Sequence, residues 1–147
     1  MKRTIIAAAL GSIFWMSCDM GGTYEKEEKA AQVVLADTSH YTTMEWKDTV
    51  VNFKPIQMGE KATVVFKFKN TGKYPLFLTN VKAGCGCTVP GYTKGAIPPG
   101  GEGEVTGEFD SNKSHPGEVR KNIYVTTNTL GKSSHTLIFA GYVGNGK

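Results

Sequence analysis

Ala62-Thr63-Val64-Val65-Phe66-Lys67-Phe68-Lys69 alternates in character with a period of two: Val64, Phe66 and Phe68 fall on one side, and Thr63, Val65, Lys67 and Lys69 on the other. Successive side chains of an extended chain leave on opposite faces, so this run predicts a strand with one buried and one wet face. Asn70-Thr71-Gly72 supplies a turn. Pro75 then opens the next strand, through Leu76, Phe77 and Leu78 to Val81, because proline suits a strand start where no ladder donor is needed. Upstream, Met44 to Phe53 reads as one or two strands broken around Asp48, followed by a turn at Gly59-Glu60.

Downstream the rhythm repeats. Pro98-Pro99-Gly100-Gly101 is a turn, and Glu104 to Phe109 turns Val105, Gly107 and Phe109 inward. Val119 to Thr127 contributes Ile123 and Val125 to the core, Asn128 to Ser133 makes a loop, and Thr136 to Val143 places Leu137, Phe139, Gly141 and Val143 on one face. About seven such strands predict an all-β, Ig-like antiparallel β-sandwich. Its span is residues 43–147. No cysteine pair is spaced for the disulfide that joins the two sheets of antibody domains.

The whole chain has 147 residues and a formal net charge of +4, room for one domain and a flanking segment. Lysines and glutamates interleave along the strands, and no basic cluster is interleaved with aromatics, which argues against nucleic acid as a partner. Gly-x-Ser-x-Gly elbows, phosphate-binding glycine loops and His-Glu-x-x-His runs are missing, which argues against a hydrolase or transferase. Glu102, Glu104 and Glu108 share the polar side of one strand and read as a solvated face.

The first segment has a different logic. Lys2-Arg3 precedes an apolar run from Thr4 to Met16, too short to span a bilayer but suited to the core of an export signal. It ends at Ser17-Cys18, which resembles the lipobox of bacterial lipoproteins, although Trp15 and Met16 depart from the usual pattern. The resemblance implies removal of residues 1–17 and acylation of Cys18, which leaves the chain lipid-anchored in the cell envelope. Acyl chains contribute about 0.8 kcal/mol per buried methylene, so two or three hold a protein on a membrane durably. Residues 18–42 then form a flexible tether containing Glu25-Lys26-Glu27-Glu28-Lys29. Asp19 and this acidic block fit sorting to the outer membrane, at its periplasmic or surface face.

Cys85-Gly86-Cys87 is the one constellation suited to chemistry. Glycine removes the Cβ that would obstruct a tight bend. Three readings stand side by side: a turn with a local disulfide or two buried thiols, a contact loop for a partner, and a redox or metal pair. Reduced, the pair suits a soft ion such as copper(I), with His115, His135, Met44 or Met58 as third ligand. Two cysteines alone do not make a zinc site. His115 and His135 otherwise read as a solvated loop residue and a strand-flanking residue.

Phe66-Lys67-Phe68-Lys69-Asn70-Thr71-Gly72, Pro75-Leu76, Gly84-Cys85-Gly86-Cys87-Thr88, Ile97-Pro98-Pro99-Gly100, Gly117 and Leu137 to Val143 occur in an order that resembles domain-of-unknown-function family 1573. That family consists of bacterial envelope proteins, often lipoproteins, with a Cys-Gly-Cys-Thr signature, similar to major-sperm-protein and PapD-like modules. The likeness spans Thr43 to Val143 and implies fold and compartment, with no established reaction. The expectation is therefore a non-enzymatic envelope lipoprotein whose edge strands bind another protein by β-augmentation, without a cofactor. The alternative is a thiol-redox or copper-binding protein using Cys85 and Cys87.

Overall fold

The computed structural model describes residues 32–146. The export signal, Cys18 and most of the tether lie outside the described residues. Residues 32–36 are helical, and a 3-10 turn follows at Thr38–His40. Sandwich contacts begin at Thr42, whose N–H donates to the Asn128 carbonyl at 3.1 Å and whose own carbonyl accepts from Leu130 at 2.9 Å.

Among the described residues nine strands follow: β1 (Met44–Trp46), β2 (Val50–Asn52), β3 (Ile56–Gln57), β4 (Lys61–Asn70), β5 (Leu78–Ala83), β6 (Thr88–Tyr92), β7 (Glu102–Asp110), β8 (Gly117–Thr127) and β9 (Ser134–Gly144). One sheet has the order β1-β4-β7-β6, and the other β2-β9-β8-β5 with β3 also beside β9. The Ig-like sandwich is as expected, with two corrections. Strand count rises from seven to nine, because β3 and β6 carry no alternation legible in the sequence. The sandwich is also not wholly antiparallel, since β2 and β3 run parallel to β9.

Strand β4 alternates as its sequence demands, with Ala62, Val64, Phe66, Phe68 and Asn70 all buried. Facing residues complete the core, with Phe66, Phe109, Phe139, Leu76, Ile123 and Leu137 wholly buried. Phe53, Phe109 and Phe139 bridge the sheets with ring centroids 5.6 to 6.2 Å apart. Gly141 is inward for a packing reason: a Cβ there would strike the Phe53 ring. Outside, the sheet is a charge ladder in which Lys67 faces Glu104 and Lys69 faces Glu102.

Asn70 is the exception on the inner face. It is wholly buried, and its side chain is saturated: Oδ1 accepts from Thr42 Oγ1 at 3.0 Å and the Gly72 N–H at 3.1 Å, while Nδ2 donates to the carbonyls of Tyr74 and Ile97. A buried amide is tolerated only when its partners are complete. Asn70 thus knots the turn after β4 to the Pro98-Pro99 turn and to the start of the domain.

Among the described residues the chain crosses between the sheets five times, and two of these crossings are corners that join one edge strand to another. Lys47-Asp48-Thr49 leads from β1 to β2, and Gly84 to Cys87 leads from β5 to β6. All four strands concerned are sheet edges, counting β2 as the outer neighbour of β9.

Candidate functional site

Cys85 and Cys87 are joined by a disulfide, with Cα atoms 5.3 Å apart. The corner is held on both flanks. Gly84 N–H donates to the Asn122 carbonyl on β8 at 2.9 Å, and the Cys87 carbonyl accepts from Asp110 N–H on β7 at 2.9 Å. Between those clamps, Gly86 is exposed, and a Cβ on it would meet nothing within 4 Å. Cys85 is half-buried, whereas Cys87 is 4% exposed and belongs to the core. Thr88 places its Oγ1 3.6 Å from Cys85 Sγ and 3.8 Å from Cys87 Sγ. Oxidised sulfurs carry no proton, so the hydroxyl is the donor.

The proposed third ligands sit elsewhere. His115 is exposed just after a 3-10 turn at Ser111–Lys113, its Nδ1 3.0 Å from the Pro116 carbonyl. His135 lies on β9 opposite Val125 and stacks edge-on against Trp46, with centroids 5.9 Å apart. Its Nε2 is 3.1 Å from Thr127 Oγ1 and 3.3 Å from Thr129 Oγ1. Burial, with help from the charge of Lys132, pushes its pKa below the ordinary imidazole value. Met44 and Met58 pack against the core from β1 and from the turn after β3. Among the described residues, no three His, Cys, Asp or Glu side chains gather in a metal-holding group, so neither histidine completes a copper site at the cysteines.

The edges of the sheets form the second candidate. Hydrogen-bonded and non-bonded pairs alternate along an antiparallel ladder. Gly84 bonds to Asn122, so Lys82 and Asn80 also turn their backbone groups to β8, while Val81 and Ala83 turn theirs outward. On β6, Cys87 and Thr93 bond toward β7, which sends the backbone of Thr88, Pro90 and Tyr92 outward. Pro90 has no N–H to offer there, so that edge is blunted. Strands β1 and β2 are only three residues each. That leaves β5, six residues without proline, as the most open edge. Beside it Tyr124, 49% exposed, pairs across from Lys82. The alternation of β5 did not reveal this, because which strands lie at an edge is a property of topology.

A broad groove of about 510 Å³ along β1 and β4 is lined by Glu45, Trp46, Lys47, Lys67, Phe68, Lys69 and Glu102. Its charged residues belong to the outer ladder, with Lys69 in register between Glu45 and Glu102, which gives it no convergent chemistry.

The profile of a family described as "Protein of unknown function (DUF1573)" matches residues 44–143, the length of the sandwich. No curated protein matches the sequence. Among solved structures, a protein of unknown function from Porphyromonas gingivalis W83 is similar with a TM-score of 0.63 at 16% identity, over 71% of this chain and 48% of that one. This chain thus spans about half the length of that relative. PapD-like domain 7 of human CEP192 is similar with a TM-score of 0.57 at 14% identity, over 73% of this chain and 89% of that one. The CsuC–CsuE chaperone–tip adhesion subunit complex of Acinetobacter baumannii gives a TM-score of 0.51 at 13% identity, over 69% and 57% respectively. At these identities the likeness is one of fold.

Proposed function

The chain belongs to the DUF1573 family, and from that premise we propose that it is a non-enzymatic binding domain that grips an envelope protein through the free edge of β5. The observation that carries this reading is the unpaired backbone of Val81 and Ala83 on the one edge strand, among the described residues, that is both long and free of proline. A partner strand laid there gains main-chain hydrogen bonds, with Lys82 and Tyr124 on the outer face beside it as specificity contacts. The Acinetobacter structure is of a chaperone–tip adhesion subunit pre-assembly complex, so a fold of this kind occurs there in complex with another chain.

The same proposal places the domain in the cell envelope at the outer membrane, tethered by acyl chains on Cys18. In labelled cells, a radioactive fatty acid enters the full chain and not Cys18→Ser, which moves to the soluble fraction. Equal membrane retention of both forms would remove the anchor from the reading.

The edge is tested with a photo-crosslinking residue at Lys82 in the membrane-anchored chain. A discrete protein adduct is expected, and Ala83→Pro, which removes only an outward N–H, abolishes it while the melting temperature holds. No adduct, or one indifferent to Ala83→Pro, would end the proposal.

A further inference from the structure

We infer that the Cys85–Cys87 corner is a thiol–disulfide exchange site that accepts electrons from a dithiol. The inference is independent of the β5 docking edge. A disulfide between residues two apart closes a very small ring, and constrained, accessible disulfides are the more readily reduced. Its value as a staple is small, because loop-closure entropy grows with loop length and this loop is minimal. The backbone is moreover already pinned at Gly84 and Cys87 by hydrogen bonds to β8 and β7. Reduction therefore leaves both sulfurs adjacent, on a frame that stays closed.

The geometry gives the exchange a direction. Cys85 is the more exposed of the two cysteines, half-buried beside the core, and side-chain-free Gly86 next to it adds no bulk. Cys87 is buried, so it is the leaving group. A thiolate of the dithiol attacks Cys85 Sγ, forming a mixed disulfide as the Cys85–Cys87 bond breaks. Cys87 departs as a thiolate, receives a hydrogen bond from Thr88 Oγ1, and takes up the proton lost by the attacking thiol. The second substrate thiol, losing its proton to Cys85, then attacks the substrate sulfur of the mixed disulfide and releases Cys85 as a thiol. Two electrons and two protons pass from the dithiol to the pair; the dithiol leaves as a disulfide. Thr88 is a positioning residue in this scheme.

The test uses the full chain in detergent, equilibrated natively against glutathione at graded ratios of thiol to disulfide, then acid-quenched and alkylated. Cleavage after Lys82 and Lys94 puts both cysteines on one peptide, so mass spectrometry reads the redox state directly. The folded pair is expected to pass from oxidised to reduced within the range glutathione buffers. Cys87→Ser should take up glutathione on Cys85 about tenfold faster than Cys85→Ser does on Cys87. Thr88→Val should slow reduction of the wild-type pair severalfold. A pair that stays oxidised at every native ratio and opens only in denaturant overturns the inference, as do equal rates at the two cysteines. If either single variant does not fold, the titration of the wild-type chain decides alone.

Discussion

The two corners that carry the chain from an edge strand of one sheet to an edge strand of the other add different things to the same kind of backbone clamp. At Lys47 to Thr49 the crossing is held by backbone hydrogen bonds, Lys47 N–H to the Lys67 carbonyl at 2.9 Å and Ile138 N–H to the Thr49 carbonyl at 2.8 Å, and by packing: Trp46, the last residue of β1, lies edge-on to Phe68 at 5.1 Å and to His135 at 5.9 Å. At Gly84 to Cys87 it is held by backbone hydrogen bonds and a covalent bond, with little side-chain bulk. Packing an aromatic ring removes a large apolar area from water, whereas a disulfide across so short a loop restricts the unfolded chain only slightly. The covalently joined corner is therefore the less stabilising one, and its bond is free for other work.

Trp46→Ala should break the first corner most severely, costing about 3 kcal/mol, read as a fall in urea midpoint. Reducing Cys85–Cys87 should cost less, about 1.5 kcal/mol at most by loop-closure entropy, in the same measurement. Were reduction the larger loss, the ranking of the corners would be inverted and the disulfide would be structural.

Acid should distinguish them next. Burial holds His135 below its ordinary 6.5, so the unfolded chain takes its proton first and stability declines as pH drops below that value. The decline ends once the folded imidazole is protonated as well. His135→Gln should flatten this part of the stability profile, and Cys85→Ala/Cys87→Ala should leave it intact. The smallest effect belongs to Trp46→Phe. The Trp46 Nε1 is buried without a hydrogen-bond partner, and losing an unsatisfied donor offsets part of the lost ring, so the change should stay within about 1 kcal/mol.

What the sequence disclosed follows from the same division. Strands whose burial alternates, such as β4 and β7, were legible because the core itself writes the pattern. Strand β6 was not, for Thr88-Val89-Pro90-Gly91-Tyr92 reads as turn chemistry and owes its extension to pairing with β7. Pro90 is compatible because its missing N–H faces away from that partner. Asn70 read as a turn residue, since its role depends on Thr42, Tyr74 and Ile97, distant in sequence and gathered only by the fold. Cys85 and Cys87 were recognisable as a chemical pair, but whether their sulfurs can join depends on a backbone bend that residue identity does not encode. His135 belongs to Trp46 rather than to the cysteines, a matter of register between β8 and β9.

The parallel pairing of β2 and β3 with β9 has a consequence in time. A ribosome emits the first strands of the domain early, yet the strand they lie against is the last to appear. Until then β2, β3 and β8 present open edges, and contacts this distant along the chain form slowly. Any nascent or truncated chain lacking β9 is thus an unfinished sheet, obliged to stay unpaired or to be chaperoned. The domain closes only once β9 has been delivered.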